Sequence, residues 1–369
     1  MTEIISFVLA CIVLLSPLFP GLSLPEKESA AIEFAESLGT GWNLGNTMDA
    51  YSNGCTGLGT ETVWGNPKTT KEMFVLLQET GFSTVRIPIT WNGHFSETEN
   101  YTIDSAWMDR VQELTDWALE CGLKVILDVH HDDKYWLIPD NAHISETEKI
   151  LCAIWQQVAE RFSAYDERLV FETMNEPRVV DVDWEWRGND ECYACINRLN
   201  ASAVRTIREV GGENAKRYIL CPTYAGSVSL DVLDAYVRPD DDRVIVMVHN
   251  YVQTIHPGNE GDDCEKGATL NYKTKVDESF AKLYRAFISK GVAVVVDEFG
   301  WTDQTHIENR IEKTKYYVKA ARAAHIPVCV WDDGGSFRMM NRKSVEWFVP
   351  DVASAFCLNE GLFWGYAMY

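Results

Sequence analysis

The chain has 369 residues, nearly half of them apolar, and carries a formal net charge of −22 at neutral pH. Its length excludes a small fold held together by disulfides and suits one α/β barrel or two modest domains with a large core. The negative charge argues against a nucleic-acid partner, whereas a neutral substrate is compatible with it.

The N-terminus predicts a secretory signal peptide over residues 1–23. An apolar stretch runs from Ile4 to Phe19 and is followed by Gly21-Leu22-Ser23, a small-x-small pattern that fits cleavage after Ser23. The segment before the stretch contains Glu3 and no lysine or arginine, so an uncleaved anchor is the alternative. The stretch is shorter than the roughly 20 residues that a membrane-spanning helix needs.

Loss of Cys11 with the signal peptide leaves nine cysteines. In a secreted chain these permit several disulfides and leave at least one thiol unpaired. Four cysteines in predicted loops are the better disulfide candidates: Cys55, Cys192, Cys195 and Cys264. Cys221 and Cys329 lie in strand-like runs and are expected to pack as small apolar groups. Cys192 and Cys195 have the spacing of half a zinc site, but no second pair follows.

Eight apolar or β-branched segments predict strands, in chain order at Gly41–Asn46, Thr84–Thr90, Lys124–His131, Leu169–Arg178, Arg217–Tyr224, Val244–Tyr251, Val292–Glu298 and Val328–Asp333. Helical periodicity predicts helices at Glu26–Leu38, Lys71–Thr80, Ser105–Cys121, Glu146–Ser163, Tyr193–Val210, Ser229–Tyr236, Val276–Ser289 and Glu308–Ala324. The alternation predicts a single closed (β/α)8 barrel. A doubly wound sheet in two domains is the alternative, but no linker or composition shift marks a boundary.

Two predicted strands end in glutamate. The stretch Leu169–Arg178 delivers Asn175 and Glu176 just before a proline, and the seventh strand ends at Glu298. If a barrel brings these glutamates within about 5 Å, they suit a retaining glycosidase. Glu176 is then expected to be the acid/base, which needs a raised pKa, and Glu298 the ionised nucleophile.

Polar residues also end the other strands, and in a barrel all of these ends converge on one face. Arg86 beside Glu298 would hold that group as a carboxylate, and Tyr251 could orient it. Asn175 suits the 2-hydroxyl of the sugar. Three histidines are expected to tune protonation and hold hydroxyls: His130, His131 and His249.

Tryptophans indicate the substrate. Six lie in predicted loops and a seventh on the eighth strand, and their faces would form platforms for pyranose rings in an open groove: Trp64, Trp91, Trp136, Trp184, Trp186, Trp301 and Trp331. Three others lie in predicted helices and are expected to pack between helix and barrel: Trp107, Trp117 and Trp155.

Two other functions fit parts of the pattern. The run His130–Asp133, with His249 and Glu298, could provide the ligands of a metal-dependent barrel hydrolase, but strand one lacks a His-x-His. A catalytically inactive sugar-binding protein would need only the aromatics. The paired glutamates with Arg86 and Tyr251 argue against that reading.

The sequence resembles the family 5 glycoside hydrolases, and most closely the branch containing endo-β-1,4-glucanases, xyloglucanases and β-1,3-1,4-glucanases. The motifs that carry the resemblance follow the family's order: Gly41–Ala50, Glu61–Pro67, Val85–Pro88, His130–Asp132, Asn175–Pro177, His249–Tyr251, Glu298–Gly300 and Trp331–Gly334. The resemblance implies a (β/α)8 catalytic domain, here residues 24–369, retention of configuration and no metal cofactor.

By this resemblance Glu176 is the acid/base and Glu298 the nucleophile. The family's other recurring active-site positions are matched by Arg86, His130, Asn175, His249, Tyr251 and Trp331, and His131 neighbours one of them. Asp297 stands where glycine is usual, and strand alternation predicts that its side chain points away from Glu298. Asp333 replaces a usual asparagine.

The leading expectation is therefore a secreted, monomeric endo-β-1,4-glucanase, a cellulase, acting on β-glucan without a cofactor and without nucleic-acid or membrane partners. Xyloglucan or mixed-linkage glucan is the alternative substrate for the same two glutamates, because loop shape decides that choice.

Overall fold

The computed structural model describes residues 30–52, 54–252 and 262–357, with the backbone alone for 262–270. The predicted signal peptide, the first turn of the predicted helix Glu26–Leu38 and the side chain of Cys264 lie outside the described residues. In the described ranges no helix is long and apolar enough to cross a membrane.

Eight parallel strands close into a barrel in which each strand pairs with its neighbours in sequence, and the last pairs with the first. They are β1 Thr40–Asn43, β2 Thr84–Ile87, β3 Lys124–Leu127, β4 Leu169–Glu172, β5 Ile219–Pro222, β6 Val244–His249, β7 Val294–Phe299 and β8 Val328–Val330. The predicted (β/α)8 barrel is confirmed. Most strands end several residues before their predicted ends, so many of the polar residues assigned to strand ends lie in the following loops.

Helices surround the barrel and are α1 Ala30–Leu38, α2 Lys71–Thr80, α3 Ser105–Glu120, α4 Ile144–Arg161, α5 Asp190–Val210, α6 Leu230–Ala235, α7 Asp262–Ala286, α8 Ile307–Ala323 and α9 Pro350–Phe356. Two short hairpins pair Phe95–Ser96 with Thr102–Ile103 and Met340–Asn341 with Glu346–Trp347. Among the predicted helices α7 departs most, since it begins 14 residues before Val276, and α9 was not predicted. The N-terminal half of α7 is rich in charged and polar residues and lacks a periodic apolar stripe.

The core lies between the strands and the inner faces of the helices. Trp107 of α3 and Trp155 of α4 are almost completely buried there, and Trp117 is half-buried against the same core with Arg110 over its ring. The predicted packing role of the helical tryptophans is therefore confirmed. Burying a side chain of this size contributes roughly 2–3 kcal/mol to the free energy of folding.

The cysteine predictions were partly wrong. Cys192 and Cys195 lie in α5, not in a loop, because Asn189 caps that helix by accepting a hydrogen bond from the backbone N–H of Cys192. Cys55, Cys192 and Cys195 are free thiols, and no disulfide joins any cysteines within the described part of the chain. Cys221 and Cys329 are buried in β5 and β8, as predicted.

A β-bulge interrupts β7 at Asp297. On one side Val248 pairs with Val296 but His249 pairs with Glu298, and the register towards β8 also shifts by one residue here. An extra residue in a strand breaks the alternation of its side chains. Asp297 and Glu298 consequently both point into the barrel, and both lie beside Arg86. The prediction that Asp297 points away from Glu298 is wrong for this reason.

Candidate active site

Glu176 and Glu298 meet at the C-terminal face of the barrel. Glu176 follows β4 and Glu298 lies in β7, and one carboxylate oxygen of each lies within 4.8 Å of the other and of a ring nitrogen of His249. Both line a cavity of about 950 Å³, together with His130, His131, Asn175, Trp186, Tyr251, Trp301, Trp331 and Phe337. This short separation of the two carboxylates suits double displacement, whereas an inverting enzyme needs a wider separation.

Glu298 is nearly buried and is held by three side chains. Arg86 donates from Nη1 to one carboxylate oxygen at 2.7 Å, and Tyr251 donates from its hydroxyl to the other at 3.0 Å. Nδ1 of His249 lies 3.4 Å from the same second oxygen. Burial raises the pKa of Glu298, although the charges of His249 and Arg86 oppose this increase. Both predicted contacts to this carboxylate are present.

Arg86 is completely buried and is shared by four carboxylates. Besides Glu298, it donates to both oxygens of Glu172 at 2.7 Å and lies 2.8 Å from Asp128 and 3.5 Å from Asp297. One guanidinium cannot neutralise four buried anions, and burial raises the pKa of Asp128 to about 6 and that of Glu172 well above its usual range. The excess negative charge is therefore reduced by protonation.

Sequence reasoning missed Asp128 and Glu172. Each is a single carboxylate within an apolar run, Val-Ile-Leu-Asp-Val and Leu-Val-Phe-Glu-Thr. Carboxylates are rarely buried without a partner, so their position inside predicted strands was the available signal. The arginine they surround could not be assigned to them without the strand register.

Glu176 is hydrogen-bonded to His249, whose Nδ1 lies 2.8 Å from Oε1, while Arg178 lies 3.4 Å from Oε2. Burial opposes ionisation, but the hydrogen bond and the charges of His249 and Arg178 lower the pKa of Glu176 to about 2. Burial likewise opposes the charge on His249, yet Glu298, Asp297 and Glu176 raise its pKa well above the usual range. The expected raised pKa of Glu176 is thus contradicted, because His249 and Arg178 stabilise its carboxylate form.

Arg178 was also missed from sequence, although it stands two residues after Glu176. Its guanidinium pairs with Asp133 at 2.8 Å and with Glu185 at 2.9 Å, and it lies over the ring of Trp186 at 4.2 Å. It therefore links the loop that carries Glu176 to the wall of the cavity.

His130 lies beneath the cavity beside Glu298. Its Nδ1 is 2.7 Å from Asp128, and its Nε2 is 4.0 Å from the nearer oxygen of Glu298. Burial, assisted by the charge of Arg86, lowers the pKa of His130 well below its usual range, so the ring is neutral. Trp331 follows β8 and stacks parallel to this ring at 5.8 Å.

His131 and Asn175 complete the predicted set. His131 is half-buried and lies next to His130, with the two ring centroids 4.4 Å apart. Its ring is edge-on to Tyr51 and near Trp64. Asn175 accepts a hydrogen bond from Arg86 at 2.7 Å through Oδ1, which leaves its amide NH2 group free to donate into the cavity.

The loop tryptophans divide into two groups. Trp186, Trp301 and Trp331 line the cavity, and Trp64 is partly exposed nearby. Trp91 is buried and donates from Nε1 to the carbonyl of Asp128, so its predicted place in a platform is wrong. Trp136 and Trp184 are partly buried against the core. Loop position alone does not distinguish a platform from a packed indole.

The predicted metal ligands do not form a single cluster. Asp132 accepts hydrogen bonds from the backbone N–H groups of Trp91 and Asn92 and from Trp136, and Asp133 pairs with Arg178. Among the residues described, two sets have ligand atoms close enough to bind an ion: Asp49 with His130 and His131, and Glu176 with His249 and Glu298. In both sets, carboxylate oxygens already accept hydrogen bonds from protein donors.

A sequence model of the cellulase family, glycosyl hydrolase family 5, matches residues 48–336. The chain belongs to glycosyl hydrolase family 5. It is therefore a glycoside hydrolase.

Individual relatives agree with this assignment. Cellulase/esterase CelE of Acetivibrio thermocellus is 37% identical over 346 residues, which cover 91% of this chain but only 41% of that protein. Endoglucanase A of Ruminococcus albus is 35% identical, with 90% and 93% of the two chains covered. A solved structure described as a GH5-4 broad specificity endoglucanase from Ruminococcus champanellensis with bound cellotriose is similar at a TM-score of 0.83 and 34% identity, covering 91% and 100%.

Proposed function

We propose that the protein is a secreted, retaining endo-β-1,4-glucanase that cleaves internal bonds of plant-type β-glucans. The observation that carries the proposal is the approach of Glu176 and Glu298 to within 4.8 Å at one cavity. The aromatic lining of that cavity supports a sugar polymer as substrate. Relatives named as endoglucanases and a structural neighbour with bound cellotriose support a β-glucan.

In the first step Glu298 attacks the anomeric carbon, and a covalent glycosyl ester forms as the glycosidic C–O bond breaks. Glu176 donates its proton to the departing oxygen, after receiving that proton from His249, which lies 2.8 Å away. In the second step Glu176 accepts a proton from water, the water oxygen attacks the anomeric carbon, and Glu298 leaves as a carboxylate.

The surrounding residues take supporting roles. Arg86 and Tyr251 hold Glu298 as an oriented carboxylate, and Asn175 directs its amide donor towards the sugar 2-hydroxyl. Neutral His130, with His131 beside it, is placed to bind hydroxyls. Trp331 offers its ring face to a pyranose.

Xyloglucan or mixed-linkage glucan is the second candidate substrate. The structural neighbour described as having broad specificity favours it, because one cleft of this family can accept more than one polymer. Residues 1–23 are proposed as the signal peptide and 24–369 as one monomeric catalytic domain that acts without cofactor, nucleic acid or membrane partner. N-terminal sequencing of the secreted protein would test the cleavage site.

The test is release of reducing ends from carboxymethylcellulose, xyloglucan and barley β-glucan. We expect chelator-resistant activity in the wild type and a loss of roughly 10³-fold or more in Glu298→Gln and Glu176→Gln. Glu79→Gln, an exposed position on α2, is the matched control and should remain active. NMR of the first product formed should show retained anomeric configuration.

Full activity in Glu298→Gln, or inverted product, would contradict the mechanism. Activity abolished by EDTA and restored by a metal would favour the metal-dependent alternative. Oligosaccharide binding without turnover by the wild type would instead support a sugar-binding protein. The ranking of the three polymers decides between the two substrate candidates.

A further inference from the structure

Asp297 is a buried carboxylate without a good hydrogen bond. The bulge in β7 turns it into the barrel, where it is fully buried. Neither of its oxygens has a hydrogen-bond donor in good geometry. Its close neighbours are Nε2 of His249 at 3.3 Å, Nε of Arg86 at 3.5 Å and the carboxyl group of Glu172. Arg86 is already shared with three other carboxylates, whereas His249 is shared with two. His249 is therefore the more available cationic partner for Asp297.

His249 lies between three carboxylates. Its Nδ1 faces Glu176 at 2.8 Å and Glu298 at 3.4 Å, and its Nε2 faces Asp297 at 3.3 Å. The other charged or titratable groups around this cluster are Arg86 from β2, Asp128 and His130 after β3, Glu172 from β4, Arg178 after Glu176 and Tyr251 after β6.

Gly226 packs against the face of the His249 imidazole. A Cβ atom at Gly226, in the loop after β5, would lie 3.0 Å from Cγ of His249. The imidazole is thus fixed in its plane by packing and at both nitrogens by carboxylates.

We propose that Asp297 is a positioning residue that acts through His249. Its charge keeps a proton on Nε2, so Nδ1 carries the proton that His249 and Glu176 share. This inference rests on the proposed function, since the shared proton is the one that Glu176 delivers to the leaving oxygen.

The proton step involves no other reagent. The Nδ1–H bond of His249 breaks as an O–H bond forms on Oε1 of Glu176, and the Nε2–H remains directed at the Asp297 carboxylate. Glu176 then protonates the glycosidic oxygen. In the second step the proton taken from water returns through Glu176 to Nδ1, which restores the starting state.

The sign of the expected effect follows from charge. A negative group in contact with an imidazolium stabilises the protonated form, so removing it lowers the pH at which the His249–Glu176 pair loses its shared proton. That loss sets the basic limb of the pH dependence of kcat/KM. Replacing Asp297 with a neutral side chain should move this limb to lower pH.

The experiment is an NMR titration of the His249 ring in the substrate-free protein, with its signal assigned by its absence in His249→Gln. In Asp297→Asn we expect the His249 titration to fall by about one pH unit or more, and the basic limb of kcat/KM on a glucan to fall with it. In a His249→Gln background, Asp297→Asn should produce no further shift of that limb.

Two further variants distinguish charge from packing. Asp297→Gly removes the same charge but leaves a cavity, so it should lower the titration equally while unfolding more easily. Asp332→Asn removes a fully buried carboxylate that is hydrogen-bonded to Trp42 instead of a histidine, and it should leave the His249 titration in place.

The inference is overturned if His249 titrates at the same pH in wild type and Asp297→Asn, even where the variant is less stable or less active. The NMR titration needs no substrate. A protein that cleaves no glucan would therefore refute the proposed function while the link between Asp297 and His249 is still decided.

Discussion

Arg86 is the side chain on which the site depends most. Its three nitrogens contact Glu298, Glu172, Asn175 and Asn43 at 2.7 to 3.0 Å. A planar guanidinium can make these contacts at once because its five donors point in fixed directions, whereas a lysine ammonium offers three from a single point. Orientation of the nucleophile therefore depends on shape as well as on charge.

We expect Arg86→Lys to lower kcat by about 10²-fold, because Glu298 loses its fixed partner. It should also reduce the free energy of unfolding by about 2–3 kcal/mol, since buried carboxylates are left poorly paired. The measurements are polymer hydrolysis and urea unfolding.

Arg110→Lys is the matched control for that change. Arg110 is also a buried arginine, and it pairs with both oxygens of Glu61, away from the cavity. Its replacement should reduce stability and leave kcat unchanged. Equal loss of activity in the two variants would show that the effect of Arg86 is a general loss of structure.

Contacts between individual side chains were predictable only where each residue stands at the end of its own strand. Arg86 and Tyr251 were correctly expected beside Glu298, because strand ends converge on one face of a barrel. The three other carboxylates around Arg86 depend on the register between strands, which periodicity does not give. Trp91 was assigned to a platform because local sequence does not reveal which loops fold back over the barrel.

At the level of single elements, the loop after β5 shapes the site without contributing a catalytic group. Gly226 there has φ of +60, in the left-handed region, and a Cβ atom added to it would lie 3.0 Å from Cγ of His249. We expect Gly226→Ala to reduce kcat by about tenfold or more, because a methyl group would displace the imidazole from Glu176. Backbone strain should add about 1–2 kcal/mol of destabilisation.

Gly122→Ala separates these two effects. Gly122 also has positive φ, at +84, but a Cβ atom there would meet nothing within 4 Å. It should show the backbone strain in urea unfolding and no change in kcat. If Gly226→Ala behaved in the same way, close packing against His249 would not be what the glycine provides.

The order and type of elements were predictable because hydrophobic periodicity and glycine stops are local signals. The residues at which the elements begin and end were less predictable. The predicted fourth strand extended past Glu176, but β4 stops at Glu172, since pairing with neighbouring strands decides where a strand ends. The bulge at Asp297 could not be predicted from the local sequence. Asp297 and Glu298 are both acidic, so the pattern of polar and apolar residues does not show which of them points into the barrel.

Across the whole molecule, buried carboxyl groups make stability depend on pH. Burial raises the pKa of Asp49 and of Asp132 from 3.8 to about 7. When folded, these groups hold protons that the unfolded chain has already lost, so their contribution to stability is lost as the pH rises through 7. Below about pH 6.5 the lowered pKa values of His130 and His131 act in the opposite direction.

We therefore expect the free energy of unfolding to fall by about 1–2 kcal/mol between about pH 6.5 and 8. Urea unfolding at both pH values measures this change. Asp49→Asn should remove part of the dependence, because an amide does not titrate. Stability that rises over this interval would contradict the account.

The central ion cluster also bears on how the barrel comes apart. Arg86 on β2 contacts residues from β1, the β3 end, β4 and β7, so its partners come from both halves of the closed sheet. A fragment containing only the first four strands would keep Arg86 but lack the Asp297–Glu298 pair. The complementary fragment would keep that acidic pair but lack Arg86. Two halves expressed separately should consequently be poor folding units that regain structure only on mixing, and the intact chain should melt in one cooperative transition.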